Sequence, residues 1–188
     1  MKRVMLAAVL ALTAAVAAQA ATYKIDADHS NVSFKISHLV GRVAGRFDKF
    51  DGTFTYETGN AKAWSATANI DPASIDTGNA KRDGDLKSPD FFDTAKYPDM
   101  KFVSTGVSNV QGAKATLTGN LTMHGITKPV TMALQYNGTV ENAMNKKQTA
   151  GFQLTGTLKR SDFGIGVNFP EPMISDEVRI KADGEFMQ

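Results

Sequence analysis

Residues 116–123 read Thr-Leu-Thr-Gly-Asn-Leu-Thr-Met, and this alternation decides the fold class. Successive side chains on a strand point to opposite faces. Leu117, Gly119, Leu121 and Met123 therefore share one face, and Thr116, Thr118, Asn120 and Thr122 the other. The same period of two returns in 32–38, 64–70, 152–158 and 178–184. In four of these five stretches the apolar column mixes large residues with Ala or Gly, as in Trp64, Ala66, Ala68 and Ile70. Half-buried strands with a lining of unequal size predict a closed barrel with space inside, a common holder of one apolar ligand. Gly119 and Gly156 are expected to border that space. On this expectation Gly119→Leu or Gly156→Leu fills the lumen and weakens binding while the fold is kept.

Working outward, the pattern predicts eight or nine strands, over 22–26, 31–39, 47–57, 62–70, 99–109, 113–123, 128–138, 148–160 and 177–187. Turn residues separate many of them, as at 57–60, 109–112 and 125–129. Short connections predict antiparallel meanders, and the absence of alternating strands and helices argues against a parallel sheet. From 79 to 100 the alternation stops. Residues 79–87 read as a short polar helix, and Ser88-Pro89-Asp90 as an N-cap with Pro at the first helical position. A helical insertion around 79–93, carrying Phe91 and Phe92, is expected to cover one barrel end. Two Gly-rich stretches, 41–47 and 164–173, read as loops at the barrel mouth.

The first twenty residues read as a cleavable export signal and the rest as one domain. Lys2 and Arg3 precede an apolar run over 4–16, and Ala18-Gln19-Ala20 makes a small-residue cleavage site. Export to the periplasm follows as an expectation, with the domain over 21–188. The apolar run is shorter than the ~20 residues of a membrane span, so no integral membrane segment is expected after cleavage. Of the 21 Lys and Arg, two lie in the signal, while none of the 19 Asp and Glu does; 19 minus 19 leaves the expected mature chain neutral. That removes any net drive toward nucleic acid, and most of the 11 Phe sit in apolar columns rather than among basic residues. With 0 Cys the chain has no disulfide, no thiol nucleophile and no Cys-ligated metal.

No G-x-S-x-G elbow, phosphate loop or H-E-x-x-H pair is present. His29 follows Asp26 and Asp28, which reads as a solvated turn rather than a metal site. His38 falls in the column of Phe34 and Ile36. It is either a strand-end group bonded to backbone or a polar group inside an apolar lumen. His124, beside Gly125, reads as structural. Arg160 and Asp162 flank Ser161 and form either an ion pair or a polar site at the rim. No catalytic residue, metal or cofactor is assigned.

Read together, a longer set of residues resembles the YceI-like family. The set comprises Asp28-His29-Ser30 with Phe34 and His38, then Gly45-Arg46-Phe47 and Phe50-Asp51-Gly52. It continues through Arg82, Leu86, Ser88, Phe91-Phe92-Asp93, Tyr97-Pro98 and Phe102. It closes with Gly119-Asn120-Leu121-Thr122, Gly125 to Val130, and Arg160-Ser161-Asp162-Phe163-Gly164. The resemblance implies an all-β, eight-stranded antiparallel lipocalin-like barrel with an apolar channel for a polyisoprenoid chain, such as an isoprenoid quinone, its precursor or another long amphiphile. It also implies a homodimer. The expected role is a periplasmic carrier. Two alternatives stay open: an enzyme acting on a lipid inside the barrel (an isomerase or hydrolase), and a ligand-free structural or stress protein. Phe34, Ile36, Phe54, Phe102, Leu121, Met132, Leu134, Phe152 and Leu154 are the candidates for tail contact. His38, Arg42, Arg46 and Arg160 are the candidates for the head group.

Overall fold

A computed structural model describes residues 20–57 and 59–188. The export signal expected over 1–20 lies, up to residue 19, outside the described residues. The elements are β1 (Ala21–His38), β2 (Gly41–Phe47), β3 (Phe50–Tyr56), β4 (Ser65–Ile70), β5 (Ile75–Asp76), α1 (Ala80–Lys87), β6 (Met100–Gln111), β7 (Lys114–Met123), β8 (Ile126–Glu141), β9 (Gln148–Lys159) and β10 (Ile174–Met187). All ladders are antiparallel. The sheet runs β10-β9-β8-β7-β6-β4-β3-β1, and β1 returns to β10, which closes an eight-stranded barrel. β2 continues β3 along the same edge of β1: the pairs run Ala21↔Tyr56 to Lys24↔Thr53 with β3, then Val32↔Phe47 to His38↔Gly41 with β2. On its far side β2 pairs only with the short β5, at Arg46↔Asp76 and Phe47↔Ile75.

Three expectations change. The segments 22–26 and 31–39 are one strand. Between Ile25 and Ser30, β1 carries extra residues against β10, a bulge that keeps pairing on both sides. The stretch 41–47 is a strand and not a loop, because the turn is made earlier, at Leu39–Val40. Ser88 ends a helix instead of starting one: its N–H donates to the Asp85 carbonyl, while Asn79 caps the start by accepting from the Arg82 N–H. Among the described residues no helix is long and apolar enough to cross a membrane.

Burial follows the alternation. On β7, Ala115, Leu117, Leu121 and Met123 are buried and their neighbours are not. The end of the barrel where β1 starts and β10 finishes is filled with rings. Tyr56 stacks on Tyr136 at 4.8 Å, Trp64 leans on Tyr56 at 4.8 Å, and Phe152 meets Phe54 at 4.0 Å and Phe186 at 5.4 Å. Such contacts each add about 0.5–1.5 kcal/mol beyond area burial. They make this the closed end.

Candidate functional site

The open end is built from three segments tied to one another. The β1–β2 turn is joined to residues 164–173 by Leu39, whose N–H is shared between the carbonyls of Pro172 and Met173 at 3.2 Å each. That loop is joined to the segment after α1 by the Gly166 N–H, 2.9 Å from the Asp90 carbonyl, and by Phe91 stacked on Phe169 at 4.9 Å. Phe92 packs edge-on against Phe47 at 5.9 Å. The Phe pair therefore sits at the barrel mouth.

Inside lies a cavity of about 640 Å³. Every strand of the barrel contributes to its wall, chiefly through the inward half of its period, with Asn31, Ser33, Thr53, Thr67, Lys181 and Asp183 bordering it from alternate positions. Phe34 and Ile36 come from β1, Phe54 from β3, Phe102 from β6, Leu121 from β7, Met132 and Leu134 from β8, and Phe152 and Leu154 from β9. All nine tail-contact candidates thus border one space. His38 borders it too, exposed at the mouth end of β1. Ala66, Ala68 and Ala182 supply the small positions of the wall.

The three arginine candidates for the head group do not behave alike. Arg42 and Arg46 lie outside the cavity. Once 41–47 is a strand, Val43 and Phe47 take the inward positions and the two arginines the outer face. Arg46 is bound there to Asp48 at 2.7 Å and Asp76 at 2.6 Å. The Asp48 carboxylate, with Asp76 adding to it, raises the Arg46 pKa. Arg42 borders a separate shallow groove with Lys35, Glu171 and Arg179. Arg160 does border the cavity, but it is buried and committed. Its Nε donates to the Ser175 carbonyl at 3.1 Å. Nη1 donates to the carbonyls of Ile165 at 3.0 Å and Gly166, and Nη2 to those of Phe169 at 2.5 Å and Ile174 at 3.0 Å. A guanidinium has five N–H donors, so none is left for a ligand. Of the two readings open for Arg160 and Asp162, the ion pair is absent among the described residues, and Arg160 binds this ring of carbonyls instead.

Beside it, Asp176 accepts from the Ser161 N–H at 2.9 Å and the Ser161 hydroxyl at 2.8 Å. Burial alone would push the Asp176 carboxyl up. The Ser161 hydrogen bonds and the Arg160 and Lys159 charges outweigh it and hold the carboxyl below its ordinary value. On the β1 bulge, away from the cavity, His29 Nδ1–H donates to Asp26 at 2.9 Å, with Glu185 nearby. That hydrogen bond lowers the Asp26 pKa and raises that of His29. His124 donates from Nδ1 to the Phe163 carbonyl at 2.9 Å and meets the Tyr97 ring edge-on. Its own φ of 53° and that of Gly125, 75°, make the tight β7–β8 turn.

The glycines also differ from expectation. Neither Gly119 nor Gly156 borders the cavity. A Cβ at Gly119 would run into the Phe102 ring and stand 2.7 Å from the Val103 carbonyl oxygen. A Cβ at Gly156 would stand 3.1 Å from Met132 Cγ. Both glycines make room for neighbouring side chains rather than for a ligand.

The alternation left out a group of polar residues at the mouth: Arg82, Asp85, Ser88 and Asp90 all border the cavity. Their signal is a helical one. Arg82, Asp85 and Leu86 are spaced to share a face of α1, and all three reach the same space. The whole is a mainly apolar cavity, with stacked rings at one end of the barrel and a polar cluster at the other. That arrangement suits an amphiphile with its tail inward.

Comparison with known proteins agrees with this geometry. Residues 23–186 match the YceI-like domain. A UPF0312 protein of Pseudomonas putida is 43% identical over 158 residues, which are 82% of each chain. The crystal structure of Burkholderia cenocepacia BcnA superposes with a TM-score of 0.78 at 28% identity, over 86% of this chain and 98% of that one. A domain of Saccharophagus degradans, described as polyisoprenoid binding, superposes with a TM-score of 0.66 at 19% identity, over 88% of this chain and 97% of that one. The last likeness is one of fold.

Proposed function

The chain belongs to the YceI-like family, and from that membership and its tubular cavity we propose that it is a periplasmic carrier that sequesters the tail of a long isoprenoid lipid. The single observation that supports this most is the cavity itself, about 640 Å³ with a wall dominated by Phe, Leu, Met and Ile and with Arg82, Asp85, Ser88 and Asp90 at its mouth. Each CH₂ moved from water into such a wall contributes about 0.8 kcal/mol, and ordering of the ligand offsets part of the sum. The fold likeness to a domain described as polyisoprenoid binding favours an isoprenoid tail, either a quinone, its precursor or a polyprenyl lipid. The role is encapsulation, in which the lipid leaves chemically unchanged and no cofactor takes part. The homodimer implied by the family resemblance belongs to the same proposal.

Native mass spectrometry of the protein purified from the periplasm without detergent, followed by organic extraction, tests it. One lipid per chain, extracted intact with prenyl fragments, is the expected result, and a doubled mass would support the dimer. A bare mass that persists after incubation with prenyl quinones and polyprenols would overturn the carrier role. Release of a chemically altered lipid would point instead to an enzyme.

A further inference from the structure

Two arginines border the cavity, and they are opposite cases. Arg160 has all five donors spent on backbone carbonyls. Arg82, half-buried on the first turn of α1, spends only two. Its Nε donates to the Thr77 hydroxyl oxygen at 2.8 Å and its Nη2 to the Thr77 carbonyl at 2.9 Å. Thr77 is itself fixed, since its N–H and its hydroxyl both donate to one oxygen of Asp83, at 3.0 and 2.5 Å. Among the described residues no carboxylate comes within ion-pair distance of Arg82. A guanidinium held in one orientation thus keeps three N–H donors unspent at the mouth of an apolar tube.

The charge around it decides what those donors suit. Arg82 and Arg160 at the mouth are balanced by Asp85 and Asp90. An anionic head gains no net field there, while a neutral head bearing an acceptor gains charge-assisted hydrogen bonds. We propose that Arg82 receives the lipid head and selects a neutral head with a carbonyl acceptor over one ending in hydrocarbon or in an anion. Thr77 acts as a positioning residue. This rests on the cavity binding a lipid tail, as proposed above.

Three probes of one prenyl tail length test it: a benzoquinone head, no polar head, and a monophosphate. Affinities would be measured for the wild type and for Arg82→Met, Arg82→Lys and Thr77→Val, with folding checked by circular dichroism. The wild type should favour the quinone over the headless tail by roughly ten- to a hundredfold, the range of a charge-assisted hydrogen bond. It should also favour the quinone over the monophosphate. Arg82→Met should erase the quinone preference and leave headless-tail affinity unchanged. Arg82→Lys should keep part of the preference, and Thr77→Val should shrink it. If Arg82→Met fails to fold, the Thr77→Val and Arg82→Lys ratios carry the test. An unchanged quinone ratio in the folded variants would overturn the role of Arg82 while leaving the tail site standing. Preference for the monophosphate would overturn the neutral head. Failure of every probe to bind the wild type would overturn the tail site and, with it, this assignment.

Discussion

At the scale of residues, the inward glycines show how a wall is made to fit its own rings. Phe34 pairs across strands with Gly45, and a Cβ at Gly45 would stand 2.7 Å from the Phe34 Cε1. Phe102 lies over Gly119 in the same way. Phe34 and Phe102 both border the cavity, so the glycines act on it indirectly by seating the rings that line it. Gly119→Leu should therefore displace Phe102 and strain the backbone near Val103, at a cost of about 1–3 kcal/mol or more. Urea denaturation would show the loss as a lower midpoint. A Gly119→Leu variant as stable as the parent would contradict this packing. The inward position of Gly119 was legible in the period of two. Its purpose was not, because whether a gap holds a ligand or a neighbour's ring depends on register with another strand.

At the scale of elements, the segment from Arg160 to Ile174 is ordered with little regular structure of its own, and one side chain is the reason. A single guanidinium gathers five carbonyls, where a regular element would pair them with its own N–H groups. Arg160→Met keeps the apolar stem but takes the guanidinium donors from all five carbonyls, of which Gly166 still accepts from the Phe169 N–H at 3.0 Å. Hydrogen bonds to charged groups are each worth about 1.5–3 kcal/mol, so the loss should exceed about 3 kcal/mol. It should appear first as proteolytic cleavage within 164–173, before the barrel unfolds, together with a lower melting temperature. Resistance equal to that of the parent would refute the clamp. In the sequence Arg160 stands out beside Ser161 and Asp162, with its partner open between Asp162 and the rim. Carbonyls carry no residue-type signal, so a side chain that binds only backbone is invisible to pattern. The stretch 41–47 was obscured differently. Its two glycines and two arginines look like a loop, yet Arg42 and Arg46 are merely the wet face of a strand whose inward residues include Val43 and Phe47.

At the scale of the whole molecule, the barrel was legible because a period of two recurs in nearly every strand. The direction of the tube was not, because that depends on which loops close over which end. Tyr56, Trp64 and Tyr136 come from three different parts of the chain to fill one end, and Arg82 arrives at the other on the one helix the alternation skips. A tube closed at one end has a length limit, which gives its most direct test. A cavity of about 640 Å³ closed at one end can take only a tail of limited length. Below that length each added CH₂ contributes about 0.8 kcal/mol, or roughly fourfold in affinity. Beyond it the added carbons stay in water and contribute little. Affinity across a series of tails sharing one head should thus climb steeply and then level off at the length that fills the cavity. Ala68→Phe, which places a ring in the wall where a methyl now stands, should move the plateau to shorter tails. A climb that continues well past that length would mean that the aromatic end opens, and an affinity indifferent to tail length would mean that the tube is not where the lipid goes.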